Sequence, residues 1–251
     1  MNPNPNKNTA TAVWTQIEAL VKNIHGWTPI DELYTLYNLV WLSTELDGDV
    51  VEVGSWCGRS AVVLAAAAKA AGSAKVYCVD LFPEKNDWKQ NLDGTYSFEV
   101  IVDGNRYAGN QEQTVWKEPF ETQTSRVYDS YSGVYDCFKE TVALRGMDDV
   151  VRSHRGDLAS FLDKSGSGLK CRLVFLDGDH GYKAVCDDIR NIDSHLVQGG
   201  WICFDDAFTC YEGVDRAISE LIIANPSYEC CQQMTRKLFV ARKKLDLNSG
   251  K

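Results

Sequence analysis

The sequence has little clustered positive charge: Arg242, Lys243 and Lys244 form its one run of three basic residues, and the formal net charge of the 251 residues is −9. Binding nucleic-acid phosphates requires a patch of lysine and arginine, so this scarcity argues against a nucleic-acid partner and leaves the three as a solvated basic tail. Nine cysteines are present, yet no two stand in a C-x-x-C pair, and a chain this long needs no disulfide framework. Cys78, Cys171 and Cys203 fall inside apolar runs, where a free thiol acts as a small hydrophobe; reduced thiols are expected. No apolar run approaches the about 18 residues of a spanning helix, and the opening "MNPNPNKNTA" has neither the apolar core nor the basic flank of a signal peptide. The expectation is a flexible polar tail over residues 1–12, then a cytoplasmic protein with no membrane partner. No internal repeat or low-complexity segment interrupts the chain.

What is present is an alternation of strand-like and helix-like patterns, the signature of a parallel sheet with helices on its faces. Val50 to Val53 reads as a short buried strand, and "GRSAVVLAAAAKAA" (Gly58 to Ala71) as a helix stopped by Gly72. Further strands are expected at Ala74 to Asp80, near Val150 to His154, at Arg172 to Asp177 and at Trp201 to Asp205, with helices at about Tyr182 to Leu196 and Gly213 to Ala224. "SYECCQQMTRKLFVARKK" reads as two final strands with a turn near Thr235. At 44% hydrophobic, residues 13–251 suffice for one α/β domain. The exception is about 83–131, polar and rich in aromatics, where periodicity fails. A connection of that size is usually functional, so it reads either as a lid over the sheet edge or as a structural excursion or oligomer contact.

"VVEVGSWCGRS", Val50 to Ser60, sets Gly54 and Gly58 four apart between a strand and a helix. Gly54 permits a sharp turn, and Gly58 permits a ligand to approach the helix N-terminus, where N–H groups are unpaired. Glu52 precedes the first glycine, and Asp80 ends the next strand, where an acid typically grips the hydroxyls of a ribose. A nicotinamide cofactor favours G-x-G-x-x-G, but Trp56 stands where the second glycine belongs and would crowd a pyrophosphate. The looser E-x-G-x-x-x-G resembles motif I of the class I S-adenosylmethionine-dependent methyltransferases. The resemblance runs from about Val50 to Lys243, apart from the insertion. It implies a Rossmann-like three-layer α/β sandwich, with a mostly parallel seven-stranded sheet and a final antiparallel strand. It also implies S-adenosyl-L-methionine as cofactor, held by Glu52, Gly54, Ser55, Gly58, Ser60, Asp80, Gly156, Asp157 and Asp177, with Gly156 and Asp157 matching the position that commonly meets the adenine.

Two apolar runs, Leu173 to Leu176 and Trp201 to Phe204, end in Asp177 and Asp179 and in Asp205 and Asp206. Ligands collect at the carboxyl ends of parallel strands, so these acids should converge and repel unless compensated. Hard oxygen ligands there suit Mg²⁺ or Ca²⁺. The pattern D-G-D-x-x-Y followed by G-G-x-x-x-x-D-D is similar to the metal-dependent O-methyltransferases, particularly the branch acting on sugar hydroxyls of macrolide and aminocoumarin antibiotics. The resemblance implies Asp177, Asp205 and Asp206 as metal ligands, most simply to magnesium, and Asp179 as general base; His180 is a second candidate base. A bound metal would lower the pKa of a small-molecule hydroxyl so that Asp179 or His180 can take its proton. Asp205 or Asp206 as a turn cap, and Asp187 with Asp188 as a solvated helix face, are the plainer readings; His25, His154 and His195 read as structural.

The leading expectation is metal-assisted O-methylation of a small-molecule hydroxyl. A hydroxylase-related or metal-free methyltransferase of the same fold, and a non-catalytic cofactor-binding protein, are the alternatives. A homodimer is the default for soluble enzymes of this kind.

Overall fold

A computed structural model describes residues 9–72, 74–109 and 114–245. Residues 1–8 of the expected tail lie outside this range, while residues 9–12 belong to a helix, α1 (Thr9–Val21). Ile17 and Val21, one turn apart, are both buried and dock that helix on the body. Its last carbonyls are held by two arginines. The Arg59 guanidinium donates to Val21 O and Ile24 O at 3.1 and 3.3 Å and to Thr28 O at 2.9 Å, and Arg145 donates to Leu20 O and Lys22 O at 2.6 and 2.9 Å. A second helix, α2 (Ile30–Leu42), follows; its inner face carries Leu33, Leu36 and Val40 and, in its first turn, the fully buried Glu32.

The main sheet then begins with β1 (Asp49–Val53), α3 (Arg59–Ala71) and β2 (Val76–Asp80). After an insertion described below come α5 (Val134–Leu144), β6 (Val151–Arg155), α6 (Leu158–Ser165), β7 (Cys171–Leu176), α7 (Tyr182–Asp193) and β8 (Leu196–Phe204). The chain closes with α8 (Glu212–Ile218), β9 (Tyr228–Gln233) and β10 (Phe239–Lys243). The seven strands lie in the order β6-β2-β1-β7-β8-β10-β9. β6, β2, β1, β7 and β8 pair in parallel, and β10 is antiparallel to both β8 and β9. The fold expected from the sequence is therefore the one formed, with its antiparallel strand set between β8 and β9. Side-chain alternation divides the core: Val50, Cys78, Leu173, Phe175 and Cys203 face α1, α2, α3 and α5, whereas Val51, Val79, Val174, Leu176 and Ile202 face α6, α7 and α8.

From β1 the chain first winds outward through β2 to β6, then returns to the other side of β1 as β7. The reversal leaves a crevice between β1 and β7 at their carboxyl ends, where ligands bind in open α/β sheets.

The insertion forms a small antiparallel sheet of β3 (Trp88–Gln90), β4 (Tyr96–Val102) and β5 (Asn105–Gly109), followed by α4 (Lys117–Thr122). Asp103 and Gly104, both with positive φ, make the turn between β4 and β5. Much of its aromatic surface is spent internally. Tyr96 stacks on Phe120, and the Trp88 ring meets Phe98 and Phe120 while its N–H donates to the Tyr128 hydroxyl at 2.7 Å. Trp116 is exposed. The nine cysteines are free thiols, six of them buried. Among the described residues no helix is long and apolar enough to cross a membrane.

Candidate functional site

A ladder of backbone hydrogen bonds carries the parallel pairing one step past the strands and so aligns the residues that follow them. Gly156 N donates to Asp80 O at 3.0 Å, Gly54 N to Val79 O at 2.9 Å, Asp177 N to Val53 O at 2.8 Å and Asp205 N to Leu176 O at 3.0 Å. The glycine loop and the strand-end acids thus share one edge, at the reversal point. Backbone strain collects there as well: Trp56, Phe82 and Asp206 adopt φ of 46°, 46° and 53°, conformations that cost about 1–3 kcal/mol each and cluster at functional sites.

In the glycine loop, Glu52 is fully buried. Neither of its carboxylate oxygens has a well-formed hydrogen bond, and two further polar atoms of the same loop, the Ser55 hydroxyl and the Trp56 indole N–H, are buried without well-formed hydrogen bonds. Burial pushes the Glu52 pKa up to about 7, against the lowering influence of Ser55, Ser60 and Cys78. Buried polar groups are ordinarily paired, so these incompletely satisfied groups fit a polar ligand seated on the loop. Asp80 is engaged from within: its Oδ2 accepts from Trp56 N at 2.8 Å and its Oδ1 from Phe82 N at 2.6 Å. Burial still holds its pKa above the ordinary value, despite those amides. Gly58 sits at the N-cap of α3 with φ of 86°, and Trp27 packs its ring 5.7 Å from that of Trp56.

The raised Glu52 pKa has a measurable consequence. An acid whose folded pKa lies above its unfolded value stabilises the fold fully below about 4.5 and loses that contribution as pH rises through about 7. Glu52→Gln is therefore expected to gain in melting temperature relative to wild type as pH goes from 5 to 8.5, and a gap that stays constant across those pH values would refute the assignment.

The acids form a tighter assembly. Asp205, nearly buried, accepts from Asp206 N at 2.8 Å through Oδ1 and from Lys237 Nζ at 2.7 Å through Oδ2. Lys237 Nζ also stands 3.3 Å from Asp206 Oδ1 and 3.7 Å from Glu32 Oε2. Asp206 Oδ2 lies 3.1 Å from His180 Nε2, which has no hydrogen bond of good geometry, and the His180 ring stacks on Tyr211 at 4.1 Å. Burial, then the neighbouring Asp205, drive the Asp177 pKa well above the usual carboxylate range. Burial also pushes Asp206 upward, but His180 and Lys237 outweigh it and hold this carboxyl low. Asp206 therefore keeps its negative charge beside His180. One ligand atom each from Asp177, His180 and Asp206 lie within 4.8 Å of one another. Two hard oxygens and an imidazole nitrogen at that spacing fit a divalent cation.

Asp179 orients its carboxylate by accepting from Gly181 N at 2.7 Å, at the start of α7. Together with Asp177, His180, Asp188 and Asp205 it borders a cavity of about 10 Å³, room for one water-sized group. Asp187 is a solvated partner of Lys183 and Arg190. Asp188 departs from the solvated-face expectation: one helical turn after Val185, it points inward, and burial, with Asp157 and Asp179 nearby, raises its pKa to about 7. Gly156 lies on the same edge, but Asp157 is exposed and caps α6 by accepting from Ser160 N at 2.9 Å. Glu32, Tyr211 and Lys237 carry no sequence signal of their own, because each reaches the site from an element whose packing is set elsewhere.

A family model described as a methyltransferase domain matches residues 51–207. Among solved structures, the chain is similar to the O-methyltransferase NovP, at 15% identity over 94% of this chain and 100% of that one, with a TM-score of 0.64. It is also similar to CalS11, a TDP-rhamnose 3′-O-methyltransferase of calicheamicin biosynthesis, at 11% identity over 96% of each chain and a TM-score of 0.53. A third likeness is to the O-methyltransferase TomG of Streptomyces achromogenes in complex with SAM, at 13% identity over 95% of this chain and 91% of that one, with a TM-score of 0.51. At these identities the structural likeness speaks for the fold.

Proposed function

Because the chain belongs to the methyltransferase domain family, we propose that it moves the methyl group of S-adenosylmethionine onto a hydroxyl oxygen of a small molecule, beside a divalent cation. The observation that carries this reading is the contact between its two motifs: a Cβ on Gly54 of the glycine loop would fall 1.8 Å from the carbonyl oxygen of Asp177. A donor on the loop and an acceptor on the acids are then neighbours, and alignment is the main thing a protein adds when the methyl group is already activated.

When bound, S-adenosylmethionine supplies a methyl group on a sulfonium, and a divalent cation supplies Lewis acidity that eases deprotonation of a neighbouring hydroxyl. Glu52, Ser55, the Trp56 indole and Asp80 hold the cofactor, with Gly156 and Asp157 bordering it along the edge. Asp177, His180 and Asp206 hold the cation. Asp179, oriented by the Gly181 N–H, takes the acceptor's proton on a carboxylate oxygen. Tyr211 fixes the plane of the His180 ring. The sugar-directed activity of CalS11 supports a hydroxylated acceptor of similar size.

Calorimetric titration of S-adenosylmethionine, with and without Mn²⁺ or Mg²⁺, followed by a methyl-transfer assay on hydroxylated acceptors, tests the reading. Saturable cofactor binding and turnover that a chelator removes and added cation restores are expected. Full turnover in chelator would remove the cation and keep the transfer; absence of cofactor binding would end the proposal.

A further inference from the structure

Lys237 has no part in the transfer as described, yet it stands at the centre of the buried charge. It is 8% exposed, Asp205 is 4% and Glu32 is 0%. Its ammonium reaches acids from two distant elements, Glu32 on α2 and the Asp205–Asp206 pair after β8. The turn that carries it is pinned, since Ala207 N donates to Lys237 O at 2.8 Å and the Thr235 hydroxyl donates to Glu32 Oε1 at 3.2 Å. Glu32 Oε2 has no hydrogen bond and faces the ammonium. This is a built arrangement, since a buried lysine with no acid to meet would cost several kcal/mol.

The two strand-end acids consequently differ. Both oxygens of Asp205 are engaged inside the protein, one by Asp206 N and one by Lys237. Asp206 turns its Oδ2 to the opposite side, where His180 and Asp177 offer their own ligand atoms. Resting on the cation site of the proposed function, we infer that Lys237 is a positioning residue that keeps Asp205 as an inner counter-ion, so that the coordinating face is Asp177, His180 and Asp206 instead of three carboxylates. The imidazole shifts the donor set away from an all-oxygen Mg²⁺ site and toward first-row transition ions, of which Mn²⁺ is the paramagnetic probe.

The test uses the full chain with Mn²⁺, titrated by the loss of free-ion electron paramagnetic resonance signal, in wild type, Asp205→Asn, Asp206→Asn, Lys237→Met and the Asp205→Asn/Lys237→Met pair, with thermal melts of each in chelator. Asp205→Asn should bind Mn²⁺ within threefold of wild type and Asp206→Asn at least thirtyfold more weakly. Lys237→Met frees Asp205 to join the ion and should bind at least tenfold more tightly, and the double variant should return to near the wild-type value. The comparison of the two asparagine variants stands even if Lys237→Met does not fold. Loss of binding in Asp205→Asn equal to that in Asp206→Asn, or weaker binding in Lys237→Met, would overturn the inference. A wild type that binds no Mn²⁺ ends the cation reading and the coordinating face with it. In that event the melts still separate the counter-ion role: in chelator Lys237→Met should melt lower and recover when Asp205→Asn is added, and losses that simply add would overturn it too.

Discussion

Gly54→Ala is expected to lower the melting temperature by roughly 10 °C and to abolish cofactor and cation binding together. Two costs combine. The φ of 90° at this position is one that side chains rarely adopt, which costs about 1–3 kcal/mol. The new Cβ would also lie 1.8 Å from Asp177 O and 2.4 Å from Asp177 C. Those are backbone atoms, so no rotamer change relieves the clash, and β1 and β7 must part where the hydrogen bond from Asp177 N to Val53 O closes the edge. Overpacking of this kind adds about 1–3 kcal/mol, a large share of the roughly 5–15 kcal/mol that holds a domain together. Gly72 supplies the control. Its φ is 94°, but nothing lies within 4 Å of an added Cβ, so Gly72→Ala should show the backbone cost alone and leave binding intact. A Gly54→Ala protein that melts like Gly72→Ala would show that the contact between the two motifs does not matter.

Asp206→Asn is expected to reduce turnover by more than the roughly 10–100-fold typical of residues that only orient a metal ligand, while cofactor binding and melting temperature stay near wild type. Asp206 is the carboxyl that His180 and Lys237 hold ionised, whereas Asp177 is driven toward its neutral form. The amide keeps the shape of the side chain, and asparagine accepts the φ of 53° that this position requires. Charge is therefore what changes, and the deficit should fall on turnover. Asp187→Asn, on the solvated face of α7 beside Lys183, is the matched control and should be silent. Turnover above a tenth of wild type in Asp206→Asn would mean that the charge at this position is not part of the chemistry.

How much of this was legible in the residues depends on how local the cause is. β1, β2, β7 and β8 show themselves as short apolar runs because each is covered on both faces, and Gly72 marks the end of α3 because its left-handed cap needs no Cβ. The insertion is harder. Asp103-Gly104 is a strong hairpin signal, but β4 and β5 bury little on one face, so their alternation is weak. α1 and α2 are silent by the strand-and-helix rhythm that reveals the rest; Ile17, Leu33 and Val40 become core residues only through the layer they form on the sheet with α3.

The same division runs through the site. That Gly54, Asp80, Asp177 and Asp205 would stand along one edge follows from the sequence alone, because strand ends are set by local periodicity and parallel pairing aligns them. Which charges meet there does not follow. Asp205 turns inward to Lys237, which Glu32 also meets, Asp206 outward to His180, and Asp80 onto the amides of Trp56 in the glycine loop and of Phe82. Those choices were made by tertiary structure, since the cost of burying a charge depends on every group packed around it, and the residues that offset it arrive from distant parts of the chain.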